Sequence, residues 1–296
     1  MQGQVYQTLG KHHLVWDGAS VRPAFPAGRL ALTSAQQKNR VAVGDLVTLG
    51  QREDGTLLIE SVLPRRSKLS RRITFTGAEH VVAANVDVLA VMLAPNPAFN
   101  TALLDRYLVA AYSSGIRPVV LANKEDLVGE EEIHDALDLY SRLDFRVIPM
   151  AAKFDRGLNE FMAEVAGGWV VLVGHSGVGK TTLVNHLVPE ARAAVGEVHE
   201  ARGKGRHTTV SSVAYRLKDG TTLVDTAGIR EFALWGVDWR MVESAYEEIH
   251  EAGGACRFPD CRHDREPGCA VRRAVEENRI DSRRYASYLT LAAEAE

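Results

Sequence analysis

Residues 169–181 read WVVLVGHSGVGKT, and their reading decides the fold. The first five are continuously apolar, a run too short for a helix and suited to a strand buried on both faces of a parallel sheet. The next eight, Gly174-His175-Ser176-Gly177-Val178-Gly179-Lys180-Thr181, satisfy G-x-x-x-x-G-K-[ST] and open a helical pattern, TTLVNHL. Glycines there let successive backbone N–H groups turn inward around phosphate oxygens, and the helix N-terminus adds favourable partial charge. Lys180 is expected to reach the β- and γ-phosphates and the Thr181 hydroxyl to ligate Mg²⁺, with Thr182 beside it in the nucleotide-binding set.

Outward from this point, short apolar runs recur at 86–93, 118–122, 147–150 and 222–224, with helical segments at 101–113, 130–143, 158–165 and 181–187. That alternation predicts an α/β sandwich. The run at 118–122 leads into Asn123-Lys124-Glu125-Asp126, at a sheet edge where such folds bind ligands. In N-K-x-D the Asp126 carboxylate accepts both N1–H and N2–H₂ of guanine, a pairing adenine cannot make. An ATP-using enzyme is the alternative this motif argues against. The run at 222–224 leads into Asp225-Thr226-Ala227-Gly228, a D-x-x-G segment. Asp225 would hold Mg²⁺ through water, and the Gly228 N–H would meet the γ-phosphate. Between the two phosphate motifs, 203–210 (GKGRHTTV) has the make-up of a switch segment, with Thr208 or Thr209 completing the Mg²⁺ shell. Ala151-Ala152-Lys153 comes after the run at 147–150 and is placed to line the guanine ring, with the Lys153 stem covering it.

The order of these parts is permuted. Ras-like GTPases place the phosphate loop first and the guanine motif near the end, whereas here 123 and 151 precede 174 and 225. The same sheet can be built from a circularly permuted chain. The D-x-x-G segment, switch II, then runs through 229–236 directly into the C-terminal part of the protein.

The flanks differ from the centre. Residues 1–72 show strand-like stretches at 4–9, 13–16, 41–43, 46–49 and 57–62 separated by turn residues, which predicts an all-β barrel of OB or SH3 type. After 236 the pattern is helical, at 241–250, 270–278 and 283–293, around a loop that holds every cysteine of the chain. Domains are therefore expected at 1–72, 73–235 and 236–296. Cys256-x4-Cys261-x-His263-x5-Cys269 offers four soft or borderline ligands, which suits one closed, structural Zn²⁺ site. Three cysteines build no disulfide framework, and with no long apolar run or signal-like start a cytoplasmic protein without a membrane span is expected. The net charge of -3 conceals an asymmetry, because residues 1–72 carry 11 Lys+Arg against 5 Asp+Glu. Arg65, Arg66, Lys68, Arg71 and Arg72 fall in 64–72 beside the barrel with no acidic residue among them, and are candidate RNA contacts. A solvated charged face has the same composition.

With these motifs assembled, the chain resembles the circularly permuted, small-ribosomal-subunit-dependent GTPases of bacteria, the RsgA/YjeQ-like family. The resemblance rests on VGD at 43–45, AANVD at 83–87, FNTALLDRYL from 99, NKED, GHSGVGKT, GRHTT, DTAGIREFALW and the cysteine cluster. It implies an OB-fold, a permuted GTPase domain, a zinc-containing C-terminal domain and a role in late maturation of the small (30S) subunit. The chain departs from the family pattern at Ala151, usually Ser, at Ala227, often Pro, and at His175, often Gln.

Ile229 stands after D-T-A-G where Ras-like enzymes carry the Gln that positions water. Intrinsic turnover is therefore expected to be slow, with His207 the candidate catalytic residue and a solvated loop position or RNA contact its alternative. The expected partners are GTP and GDP, the 30S subunit and its rRNA, bound by a monomer. The competing reading is a GTP-regulated scaffold or translational regulator whose main partner is protein.

Overall fold

The computed structural model describes residues 1–28, 30, 40–95, 100–127, 131–189, 212–226 and 232–295. Its centre is a sheet made of β8 (Val88–Leu93), β9 (Arg117–Ala122), β10 (Val147–Pro149), β11 (Trp169–Val173), β12 (Val213–Arg216) and β13 (Thr222–Asp225). Their spatial order is β10-β9-β8-β11-β13-β12, parallel except for the antiparallel β12. Every residue of β8 and β11 is buried. Alternate side chains feed two separate cores: Leu89, Val91, Val171 and Val173 on one face, Val88, Ala90, Val170 and Leu172 on the other. This is why those runs show no polar face in the sequence. Helix α1 (Thr101–Ser113) covers the first face, while α3 (Leu158–Val165) and α4 (Lys180–Leu187) cover the second. Helix α2 (Glu131–Arg142) stands between β9 and β10 in the chain.

The N-terminal barrel is built from β1 (Gln2–Thr8), β2 (His13–Trp16), β3 (Val21–Pro26), β4 (Leu46–Gln51) and β5 (Leu57–Val62). Pairing runs β1-β2-β3-β5-β4 and closes through β4 onto β1, with β3 and β5 parallel, an OB-like closure. Two expectations change here. The third strand is Val21–Pro26, whose Pro23 and Pro26 mask its β character, while 41–43 is not a strand. Residues 42–45 instead form a turn in which the Ala42 N–H donates to the Asp45 carboxylate at 2.8 Å.

The barrel is joined to the GTPase sheet through three connections. β1 pairs with β12 at Gln7 and Val213, so one sheet runs through both units. The Asn85 amide donates to Gly44 O at 2.9 Å, and Ala84 N–H donates to Val43 O at 2.8 Å. Gly44 has φ +89°, and a Cβ there would lie 2.0 Å from Ala84 O, so no other residue fits the G of VGD. The basic stretch 64–72 contains a strand. β6 (Lys68–Arg72) and β7 (Glu79–Ala84) form an antiparallel hairpin across residue 72.

The C-terminal helices are α5 (Trp239–Ser244), α6 (Glu247–Gly253), α7 (Ala270–Glu276) and α8 (Ser282–Glu294). The single helix expected at 241–250 is two. The break carries Tyr246 into the core, its ring 4.0 Å from the Arg284 guanidinium. None of the described helices is long and apolar enough to cross a membrane.

Candidate nucleotide site and metal cluster

The phosphate loop leaves β11 at the C-terminal edge of the sheet, between the ends of β8 and β13. Gly174 at φ +138° brings the chain so close to β8 that a Cβ would stand 2.2 Å from Met92 O. His175, Ser176 and Gly177 are exposed at the tip, Val178 is buried beneath them, and Thr181 and Thr182 are exposed on the first turn of α4. The Lys180 ammonium donates to Gly174 O at 2.7 Å and His175 O at 2.9 Å, which holds it inside the loop. Burial pulls the Lys180 pKa down, and the Asp225 carboxylate opposes that shift. Asp225, at the end of β13, is pushed up by burial and drawn back by Lys180. One cation and one anion thus face each other across the floor of the site. Thr226, to which the motif alone gives no role, is fully buried and donates to Leu172 O at 2.5 Å, fixing the D-x-x-G strand end to the loop strand. Its only signal in the sequence is a small hydroxyl in the first variable position of that motif.

Asn123 is a tether. Its buried amide nitrogen donates to Val178 O at 2.7 Å, and its oxygen accepts from Ala152 N–H at 2.9 Å. The NKED segment, the Ala151–Lys153 segment and the phosphate loop are therefore held in one constellation by a single side chain. Lys124 takes φ +63°, and Asp126 then lies exposed on the turn Glu125–Leu127 at the site's rim. Ala151 and Ala152 are buried under it, and Lys153 is exposed with its ammonium 5.4 Å from the Phe154 ring. His207, Thr208, Thr209 and Gly228 lie outside the described residues.

The cysteine cluster closes as the spacing predicts. The ligand atoms of Cys256, Cys261, His263 and Cys269 all lie within 4.8 Å of one another. His263 Nδ1 faces the Cys256 and Cys269 sulfurs at 3.5 Å each. Burial pushes the Cys261 thiol up to about 12 and lifts Cys269 as well. Buried thiols packed this closely suit a divalent cation, which would stabilise their thiolates. Glu243 of α5, which no motif marks, stands 3.7 Å from His263 Nε2, the arrangement in which a carboxylate orients a metal-ligating imidazole.

The basic run is divided in its roles. Arg65 is largely buried: it makes two hydrogen bonds, at 2.7 and 2.8 Å, to the fully buried Asp45 and a third to Arg40 O. Arg66 pairs with Asp87 at 3.1 Å and Lys68 with Glu79 at 2.6 Å, yet their side chains stay 66% and 46% exposed. Arg71 and Arg72 lie on β6, where Arg72 N–H donates to Ala233 O at 2.9 Å.

A family model described as RsgA GTPase matches residues 62–235. This chain belongs to the RsgA GTPase family. The RsgA relatives include the small ribosomal subunit biogenesis GTPase of Azotobacter vinelandii, 43% identical over 256 residues that cover 86% of this chain and 74% of the relative. That of Haemophilus influenzae (strain 86-028NP) is 40% identical over 234 residues, 78% of this chain and 67% of the relative. The crystal structure of YjeQ from Thermotoga maritima superposes with a TM-score of 0.76 at 27% identity, over 99% of this chain and 98% of that one. YloQ, described as a circularly permuted GTPase, superposes at 0.70 with 23% identity over 99% and 94%, a likeness of fold. The fold class read from the motif order, a permuted P-loop GTPase between an OB-like barrel and a helical cysteine-bearing unit, is the one observed, and the RsgA chain is a GTP hydrolase.

Proposed function

We propose that this chain hydrolyses GTP to GDP and phosphate when stimulated by the small ribosomal subunit, and acts in late 30S maturation. The convergence of NKED, the phosphate loop and D-x-x-G on one sheet edge, in a chain of this family, carries the reading. In this mechanism Asp126 selects guanine, Asn123 holds the base and phosphate segments together, and the loop N–H groups with Lys180 bind the phosphates. Mg²⁺, held by Thr181, Thr208 and Asp225, would neutralise charge developing on the β- and γ-oxygens. Ile229 offers no group to orient water, so His207 or a subunit group does, and turnover is slow until the subunit binds. The cysteine and histidine set takes one structural Zn²⁺, since four protein ligands leave no open position. The chain acts as a monomer in the cytoplasm, with three units divided near 72 and 236. Arg66, Lys68, Arg71 and Arg72 contact rRNA; Arg65, tied to Asp45, serves the fold instead.

GTP turnover measured with purified 30S, with 50S and with neither tests this reading. Stimulation by 30S alone is expected, and its absence sinks the ribosomal role in favour of a protein-directed regulator. Asp126→Asn is expected to transfer preference to xanthosine triphosphate; retained GTP preference would remove Asp126 from base recognition.

A further inference from the structure

A cleft of about 710 Å³ opens where the barrel, the β6–β7 hairpin, the end of α1 and the start of α5 meet, away from the nucleotide site. Four cations line it, Arg40, Arg65, Arg66 and Lys68, and no carboxylate does so among the described residues. The carboxylates that partner three of them, Asp45, Asp87 and Glu79, hold those side chains from outside the cleft. The rest of the wall is apolar, with Val62, Leu63, Val237 and Met241, and it includes the half-buried indole of Trp235. Trp235 belongs to the stretch 232–237 that comes after the D-x-x-G motif in the chain and is bonded to β6 through Ala233 O.

Cationic side chains beside an aromatic ring and an apolar floor suit a ligand that carries an anion and a flat ring together. The volume lies within the range of small-ligand cavities, so a nucleotide turned out of its stack can enter and a double helix cannot. We propose that this cleft takes one unpaired nucleotide of RNA, its base against Trp235 and its phosphate between Arg66 and Lys68. The proposal rests on the RNA-directed reading of the basic run and adds a consequence to it. The occupant touches residues 234–237, so RNA engagement bears on the segment that follows the D-x-x-G motif in the chain.

The test uses the full chain with pentauridylate and pentaadenylate, the corresponding mononucleotides, and an RNA duplex as probes. Tryptophan fluorescence reads binding, and Trp235→Phe removes the reporting signal. Single strands are expected to quench Trp235 and mononucleotides to do so more weakly, whereas duplex leaves it unchanged at the same concentration. Ser113→Trp, at an exposed position on the cleft rim, fills the space without disturbing a core. It should weaken oligonucleotide binding and 30S-stimulated turnover by about tenfold or more, while unstimulated turnover is kept. Equal quenching by duplex overturns the proposal, as does a Ser113→Trp protein that binds single strands and responds to 30S like the parent. If the parent binds single strands but 30S gives no stimulation, the ribosomal reading fails while the cleft stands.

Discussion

Asn123 shows how much one side chain can carry in this site. Both ends of its amide are used within the protein, so Asn123→Ala strands a carbonyl and an N–H that are otherwise satisfied. A buried polar group without its partner costs about 1–3 kcal/mol. GTP affinity is therefore expected to fall by about tenfold or more through disorder of the site rather than loss of a base contact. Nucleotide titration by calorimetry checks this, and an Asn123→Ala protein with parental affinity would remove the tether. His13 gives a pH signature at the same scale. Burial is the main cause that lowers its pKa from 6.5 to about 4, with His12 adding to the shift and Asp45 opposing it. The unfolded chain then binds a proton that the folded one refuses, so stability falls as pH drops from 6.5 to about 4 and this contribution levels off below that. The largest loss it can contribute is about 3 kcal/mol. Urea unfolding across that range should flatten measurably in His13→Gln; an unchanged pH profile would show that His13 is not the group involved.

At the scale of elements, the turn at 42–45 and the hairpin behind it set two neighbouring arginines apart. Arg65→Ala leaves the fully buried Asp45 without its counter-charge and is expected to cost about 3–5 kcal/mol. Arg66→Ala breaks an exposed pair and should change stability by about 1 kcal/mol or less. Thermal unfolding of the two variants checks the contrast, and equal effects would refute it. The sequence could not separate these residues, because PRRSKLSRR shows charge but not which cation has a buried partner. What was legible obeys the same logic. WVVLV-GHSGVGKT, NKED and DTAG are local patterns whose chemistry is complete within a few residues, and the strand before each is where it was expected. The barrel strand at Val21–Pro26 was hidden by its prolines, and the β6–β7 hairpin by its charges, since both are held by distant partners. The cysteine cluster was readable because ligand type and spacing suffice; Glu243 was not, because it comes from another helix.

For the whole molecule, the decisive contact is the buried ion pair between Arg284 of α8 and Asp105 of α1, with side chains 2% and 1% exposed. Glu248 adds a second carboxylate at 2.8 Å and the Tyr140 hydroxyl donates to Asp105 at 2.7 Å. Burial pulls the Arg284 pKa down, and these carboxylates overcome it and hold the guanidinium firmly charged. Arg284→Ala is expected to destabilise the protein by about 3–5 kcal/mol, and the double change Arg284→Met with Asp105→Leu to recover much of that. Chemical denaturation of both proteins tests it; a mild single variant would mean that the C-terminal unit is held elsewhere. A swing of that unit as a rigid body would break this pair. The permuted strand order also bears on biosynthesis. On a translating ribosome β8, β9 and β10, with NKED and residues 151–153, emerge before β11 supplies the phosphate loop and β13 supplies Asp225. β1, which lies ahead of these strands in the chain, must wait for β12 before Gln7 can pair with Val213. A pairing of such long range is slow to close, so the barrel and the central sheet become one continuous sheet only after β12 has been made.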